Sequence, residues 1–128
     1  MANEIAITTT LVCTHSGSTV SGSTTKLNTL AGSGKFANVQ VIPDSYELLV
    51  FPTDLIAEGI TFIYLKNLDE TKSIQLACPT GADADLFGKL LAGEPCCFRT
   101  FAAAAANPNI YAKASAASAN LQIVAVGT

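Results

Sequence analysis

Cys13 and His15 are the first two side chains in the sequence whose types could do chemistry together. The spacing Cys-Thr-His puts both on one face of a strand, because strand side chains alternate between faces. A thiol beside an imidazole could form part of a metal site or an activated nucleophile. Zinc sites need three or four ligands, however, and the chain has no second histidine and no Cys-x-x-Cys. The pair therefore favours an exposed histidine beside a small buried thiol.

The glycine-rich segment 32–35 (GSGK) is the second candidate, because such turns can cradle phosphates. As a P-loop it lacks the first glycine, where Thr29 stands, and the magnesium-binding hydroxyl, which Phe36 replaces. With Ala37, the two glycines fit a dinucleotide turn, but that turn must open a helix. Here an alternating, strand-like segment, 36–42, follows instead. The segment predicts a glycine turn with an exposed lysine.

Asp83 and Asp85 are the third candidate, since calcium accepts carboxylates from a loop. Two acids with few neighbouring oxygen side chains fall short of a full calcium ligand set. A solvated turn in which an aspartate caps the short segment 86–87 fits them better than a weak ion site. No other pair of acids is spaced for general acid–base chemistry. We therefore expect no catalytic, cofactor-binding or metal-ligating residue and no enzymatic activity.

Composition limits the class of protein. The chain has 128 residues, which is enough for one domain, and 49% of them are hydrophobic. Only 13% are charged, against about 25% in ordinary soluble proteins. The net charge is −3 and the seven basic residues are scattered along the sequence, so direct binding to nucleic acid is not expected. Sparse charge leaves neutral and apolar surface, which usually marks interfaces.

The setting of the protein is predicted from its termini, apolar runs and cysteines. No apolar run reaches the ~18 residues of a membrane span, and the first residues do not resemble a signal peptide. We expect synthesis in a reducing cytoplasm. In that setting free thiols are the default state of the four cysteines, Cys13, Cys78, Cys96 and Cys97.

Alternating apolar residues and turn signals predict eight to ten short strands. Between the first strand and Gly34, a Ser/Gly-rich stretch predicts a flexible region, either an irregular arm or a loose hairpin, with a short strand at 19–25. Five alanines near 102–106 predict one helical turn or a loop. The other predicted strands are 4–13, 36–42, 46–51, 60–67, 71–78, 96–101 and a final hairpin of 110–113 with 120–126. The fold class is all-β, and the pattern predicts an antiparallel sandwich or a jelly roll.

Half of the chain, residues 60–126, resembles a family of small virion proteins of tailed bacteriophages. That family has aromatic-Ile-x-Leu-Lys-Asn-Leu-Asp, Leu-x-x-Gly-Glu, an arginine, Leu-Tyr-Ala-Lys-Ala and a last apolar strand, in this order. The matching segments are 62–69 (FIYLKNLD), 87–94 (FGKLLAGE), 97–99 (CFR), 109–114 (NIYAKA) and 121–124 (LQIV). Cys96 and Cys97 depart from it, because ordinary apolar residues are expected there.

The resemblance implies a jelly-roll sandwich on the outer surface of a phage head, as a capsid cement or decoration protein. Its partner would be the major capsid protein, and such proteins commonly form homotrimers. The family has no catalytic residues to transfer to this chain.

Residues 1–35 are predicted to form an N-terminal strand and flexible arm that packs on neighbours, and 36–128 to form the sandwich core of what is overall a single domain. The arm could add a strand to a neighbour's exposed edge. The alternative function is a receptor- or glycan-binding module of a tail, neck or head fibre, since jelly rolls also serve as lectins. Against it, the chain has no Trp and only three tyrosines to present to a sugar.

Overall fold

The N-terminal part of the chain forms a unit of its own. The computed structural model describes residues 4–15, 17–29, 34–78, 80–81, 83–100 and 106–127. Within them the chain divides into two compact units, Met1–Ser33 and Gly34–Thr128.

The first unit is a long antiparallel hairpin of β1 (Glu4–His15) and β2 (Ser18–Thr29). Its register is unbroken along all twelve residues of each strand. Gly17, in the turn, has a φ of 79°, which glycine adopts without strain. Cross-strand hydroxyl pairs add to the ladder, with 3.0 Å between the oxygens of Thr10 and Ser23. Of the two predicted forms, an irregular arm or a loose hairpin, the structure has the hairpin. Its ladder is regular and β2 is longer than the predicted strand 19–25, because β-branched threonines favour extended backbone.

The second unit contains two antiparallel sheets of four strands each. Sheet I has the order β3-β10-β5-β8 and sheet II the order β4-β9-β6-β7. The strands of sheet I are β3 (Lys35–Pro43), β10 (Ser118–Gly127), β5 (Ile60–Asn67) and β8 (Pro95–Arg99). Those of sheet II are β4 (Glu47–Leu48), β9 (Tyr111–Ala114), β6 (Ile74–Ala77) and β7 (Leu86–Leu90). The predicted all-β antiparallel sandwich is confirmed.

The core lies between the sheets and follows from the alternation of residues in the sequence. Leu121, Ile123 and Ala125 of β10 are fully buried, while the residues between them are half-buried. They join one apolar cluster with Ile74 and Leu76 of sheet II. Burying a side chain of this size contributes about 1.5–3 kcal/mol, so this cluster is the main stabilising element of the unit.

Connections between strands cross from one sheet to the other, except for the one between β6 and β7. The predicted final hairpin is therefore wrong, because β9 and β10 lie in different sheets. The predicted strand 46–51 is also shorter than expected and is reduced to Glu47–Leu48. Both segments keep their alternation, which does not by itself specify the partner strand.

A short helix, α1 (Thr53–Glu58), precedes β5 and was not predicted. Pro52 stands at its N-cap, Asp54 lies in its first turn, and Gly59 ends it with a φ of 93°. The acid in the first turn and the glycine after the last turn are recognised start and stop signals of helices. Leu55 anchors it in the core. The predicted helical turn at 102–106 lies, except for Ala106, outside the described residues.

Candidate functional site

Only part of the three candidate sites from the sequence lies within the described residues. The side chains of Cys13 and His15 lie outside the described residues, as do Gly32 and Ser33. The carbonyl of Gly34 accepts a hydrogen bond of 2.9 Å from the amide of Gly127. A Cβ on Gly34 would lie 2.7 Å from the side chain of Leu55, so the backbone at Gly34 packs directly against α1.

Asp83 and Asp85 form a short 3₁₀ helix, Asp83–Asp85, whose carboxylates are held by neighbouring groups. The hydroxyl of Tyr46 donates to Asp83 Oδ1 at 2.9 Å, and Lys113 Nζ lies 3.8 Å from the same oxygen. Burial and this carboxylate raise the pKa of the Tyr46 phenol. Thr80 donates to the carboxylate of Asp85. Within the described part of the chain, no group of three metal-ligating side chains is found.

Cys78, Cys96 and Cys97 are free thiols. Burial, and then the neighbouring thiol of Cys97, raise the pKa of Cys96 to about 11. Burial also raises the pKa of Cys97. Thiols with raised pKa values stay protonated at neutral pH, and the protonated form is a poor nucleophile and metal ligand. Cys96 and Cys97 therefore serve as small apolar groups rather than reactive ones.

An open apolar cavity of about 730 Å³ lies at the side of the sandwich where β7 and β8 are the edge strands. The rings of Phe87 and Phe98 meet edge to face in its lining, with centroids 5.9 Å apart. Cys78 and Cys96 also line it. With two aromatic rings and the protonated thiol of Cys96 in its lining, the cavity suits an apolar group better than a reaction.

The outer surface of sheet I has a distinctive composition. Because directly paired residues of neighbouring strands share a face, its side chains fall into rows across the sheet. The rows are Lys35, Val126, Phe62 and Arg99; Ala37, Val124, Tyr64 and Cys97; Val39, Gln122, Lys66 and Pro95; and Val41 with Asn120. We call this surface the basic face. It spans roughly 14 Å across the strands and 20 Å along them.

The basic face combines apolar side chains with positive charge. Val39 and Val41 are 48% and 59% exposed. The guanidinium of Arg99 lies 4.6 Å from the ring centre of Phe62 and covers it. Its cations are Lys35, Lys66 and Arg99, and none of the residues in its rows is acidic. The rest of residues 34–128 carries nine acids and three bases, so charge is strongly separated across this unit.

Sequence reasoning treated the basic residues as scattered and missed this face. Tyr64 and Lys66 are alternate residues of β5 and lie on the face away from the core, which alternation alone would have shown. That Lys35 and Arg99 join them depends on the strand order, in which β10 and β5 separate β3 from β8. The strand order was not available from local sequence patterns.

Comparisons with protein-family models, characterised proteins and solved structures found no match to this chain. No helix in the described residues is both long enough and apolar enough to cross a bilayer.

Proposed function

We propose that the protein is a non-enzymatic structural protein of a tailed-phage virion. It binds the outer surface of the head as a cement or decoration protein, with the major capsid protein as its partner. It would be made in the host cytoplasm and then join the particle. The sequence resemblance motivates this proposal, and the strand order of the sandwich is the observation that carries it.

The strand order supports a jelly-roll assignment. A jelly roll folds eight strands into two four-stranded sheets through two Greek keys, so most of its connections cross between sheets. Here the sheets interleave as β3-β10-β5-β8 and β4-β9-β6-β7, and six of the seven connections cross. The segments that resemble the virion family lie in the strands and turns that make this arrangement.

The basic face supports a binding role. A surface of exposed valines with three cations and no acid fits an apolar surface that carries carboxylates. A cement protein that binds assembled subunits and not dispersed ones stabilises the shell by mass action. Apolar contact would supply most of the binding free energy, while the cations orient the approach.

We further propose that the protein acts as a homo-oligomer, as a trimer at three-fold positions of the head. Closed symmetric assemblies are the usual form of homo-oligomers, and a three-fold ring matches the symmetry of such a position.

Co-sedimentation tests the function directly. Heads purified from the phage whose genome encodes the chain, stripped of this protein, are mixed with the purified full-length chain. We expect saturable binding and heads that resist heat better than bare heads. Heads that leave the chain in the supernatant would refute the proposal. Binding to host cells or to a glycan array instead would indicate the receptor-binding alternative.

A further inference from the structure

The four edge strands of the sandwich differ in how they resist pairing with another chain. Edge strands are usually protected by shortness, proline, charge or an irregular ladder. β4 has two residues, and the side chain of Gln40 bonds its Leu48 carbonyl at 3.1 Å and the Val50 amide at 3.1 Å. β8 has five residues, from Pro95 to Arg99. β7 also has five, includes Lys89 and pairs with β6 through a register shift.

β3 lacks these protections. It has nine residues, and none of them between Phe36 and Ile42 is charged or a proline. Among the described residues it pairs with β10 on one side and lies at the end of its sheet on the other. Val39 and Val41 are exposed on it. A long, uncharged edge is suited to accept an added strand through its main-chain hydrogen bonds.

The hairpin of β1 and β2 would gain stability from an additional strand. A sheet of only two strands is marginal in water and becomes stable when it gains a third strand or packs on another element. From Ile5 to Thr14, β1 contains no charged residue, glycine or proline. β2 contains Gly22 and Lys26, and either of them weakens strand addition. The better edge of the hairpin is therefore β1.

We infer that β1 of one copy pairs with the free edge of β3 in a second copy. The central segments of both strands are uncharged, so no register sets like charges opposite each other. A contact between two different surfaces of the same chain repeats head to tail, and it closes into a ring when the rotation between copies matches a closed symmetry such as the proposed trimer. The inference rests on the proposed homo-oligomer and gives it a specific contact, but it does not require head binding.

Sedimentation velocity of the full-length chain tests the acceptor edge. Lysines on an edge strand oppose strand addition, so the double variant Val39→Lys/Val41→Lys should weaken self-association by about tenfold or more. Leu91→Lys is the control, because Leu91 is 53% exposed in the turn joining β7 and β8, away from β3. It should keep the wild-type mass. A wild-type monomer, or a double variant with unchanged mass and circular dichroism, overturns the inference.

A second pair of variants tests the donor strand. Val12 and Ser21 face each other in the hairpin, and both are exposed. Val12→Lys, on β1, should weaken self-association, whereas Ser21→Lys, on β2, should have a much smaller effect. If the β3 variant weakens self-association and Val12→Lys does not, β3 pairs with a strand other than β1, such as β3 of another copy, and β1 is refuted as the partner.

Head binding is measured on the same samples to separate this inference from the proposed function. If heads bind the wild-type chain but the variant at Val39 and Val41 has the same mass in solution as wild type, the inference is wrong and the proposed function stands. If the variants on β1 and β3 weaken the oligomer but the wild-type chain does not bind heads, the inference is supported and the proposed function is wrong.

Discussion

The side-chain amide of Asn67 donates a hydrogen bond of 3.0 Å to the carbonyl of Leu91 and so joins two turns that are distant in the sequence. The same nitrogen donates to the carbonyl of Lys72 at 2.7 Å, and the side-chain oxygen accepts from the Asp69 amide at 3.0 Å. The backbone amide of Asn67 donates to the carbonyl of Glu94 at 3.0 Å. This buried network joins the segments 66–69 (KNLD) and 91–94 (LAGE) into one structural element.

Replacing Asn67 with alanine should lower the free energy of unfolding by about 2–4 kcal/mol, because buried carbonyl and amide groups lose their partner. Urea unfolding followed by circular dichroism measures the loss. Asn120→Ala is the matched control, since Asn120 is exposed, and it should change stability by less than about 0.5 kcal/mol. Similar losses in the two variants would show that the network does not stabilise the turns.

Two glycines allow backbone strain to be separated from close packing. Gly81 and Gly93 both have positive φ, 69° and 75°, but a Cβ on Gly81 would lie 2.7 Å from the ring of Tyr111 while Gly93 faces open space. Gly93→Ala should cost about 1 kcal/mol from backbone strain alone. Gly81→Ala should cost about 2–4 kcal/mol, because it adds a steric clash. Urea midpoints of the two variants give the difference, and equal losses would contradict a close contact with Tyr111.

The half-buried thiol of Cys96 predicts a loss of stability at alkaline pH. The pKa of Cys96 is about 11 in the folded chain, against 9.0 for the unperturbed thiol. Between these values the unfolded chain has released a proton that the folded chain keeps, so unfolding becomes more favourable as pH rises from 9 to 11. Cys96→Ala should reduce this slope in urea titrations across that range. An unchanged slope would mean that other groups cause the alkaline loss.

Alkylation of the thiols tests the same burial by a different measurement. Iodoacetamide should modify Cys96 slowly at neutral pH and faster as the pH approaches 11, since only the thiolate reacts. In Cys97→Ser the contribution of the neighbouring thiol is gone, so the rate profile of Cys96 should move to lower pH. Peptide mass spectrometry reads the rate at each cysteine. Rapid modification of Cys96 at neutral pH would refute its raised pKa.

Local sequence patterns predicted the class of fold but not the pairing of its strands. Apolar patterns placed β5 and β10 well, β5 as a run that is apolar on both faces and β10 by alternation, because one face of each is buried in the core. The small residues 114–119 were expected to close a hairpin, yet β9 and β10 belong to different sheets. A short link of small residues allows the two strands to pair in one sheet or to lie in different sheets. Packing between the sheets determines which arrangement forms. Lys35 and Arg99 share a face for the same non-local reason, so the basic face could not be predicted.

The basic face predicts which cations matter for binding to heads. Lys66→Glu should weaken head binding by about tenfold at low salt, because it places a carboxylate opposite the carboxylates proposed for the partner. Lys89→Glu changes the net charge equally, but Lys89 is exposed on β7 of sheet II, so this variant should bind almost as wild type. Quantitative co-sedimentation at two salt concentrations gives both affinities. The difference between the variants should shrink as salt screens the charges. If the two variants lose affinity equally at each salt concentration, net charge rather than the basic face governs binding, and another surface of the chain meets the head.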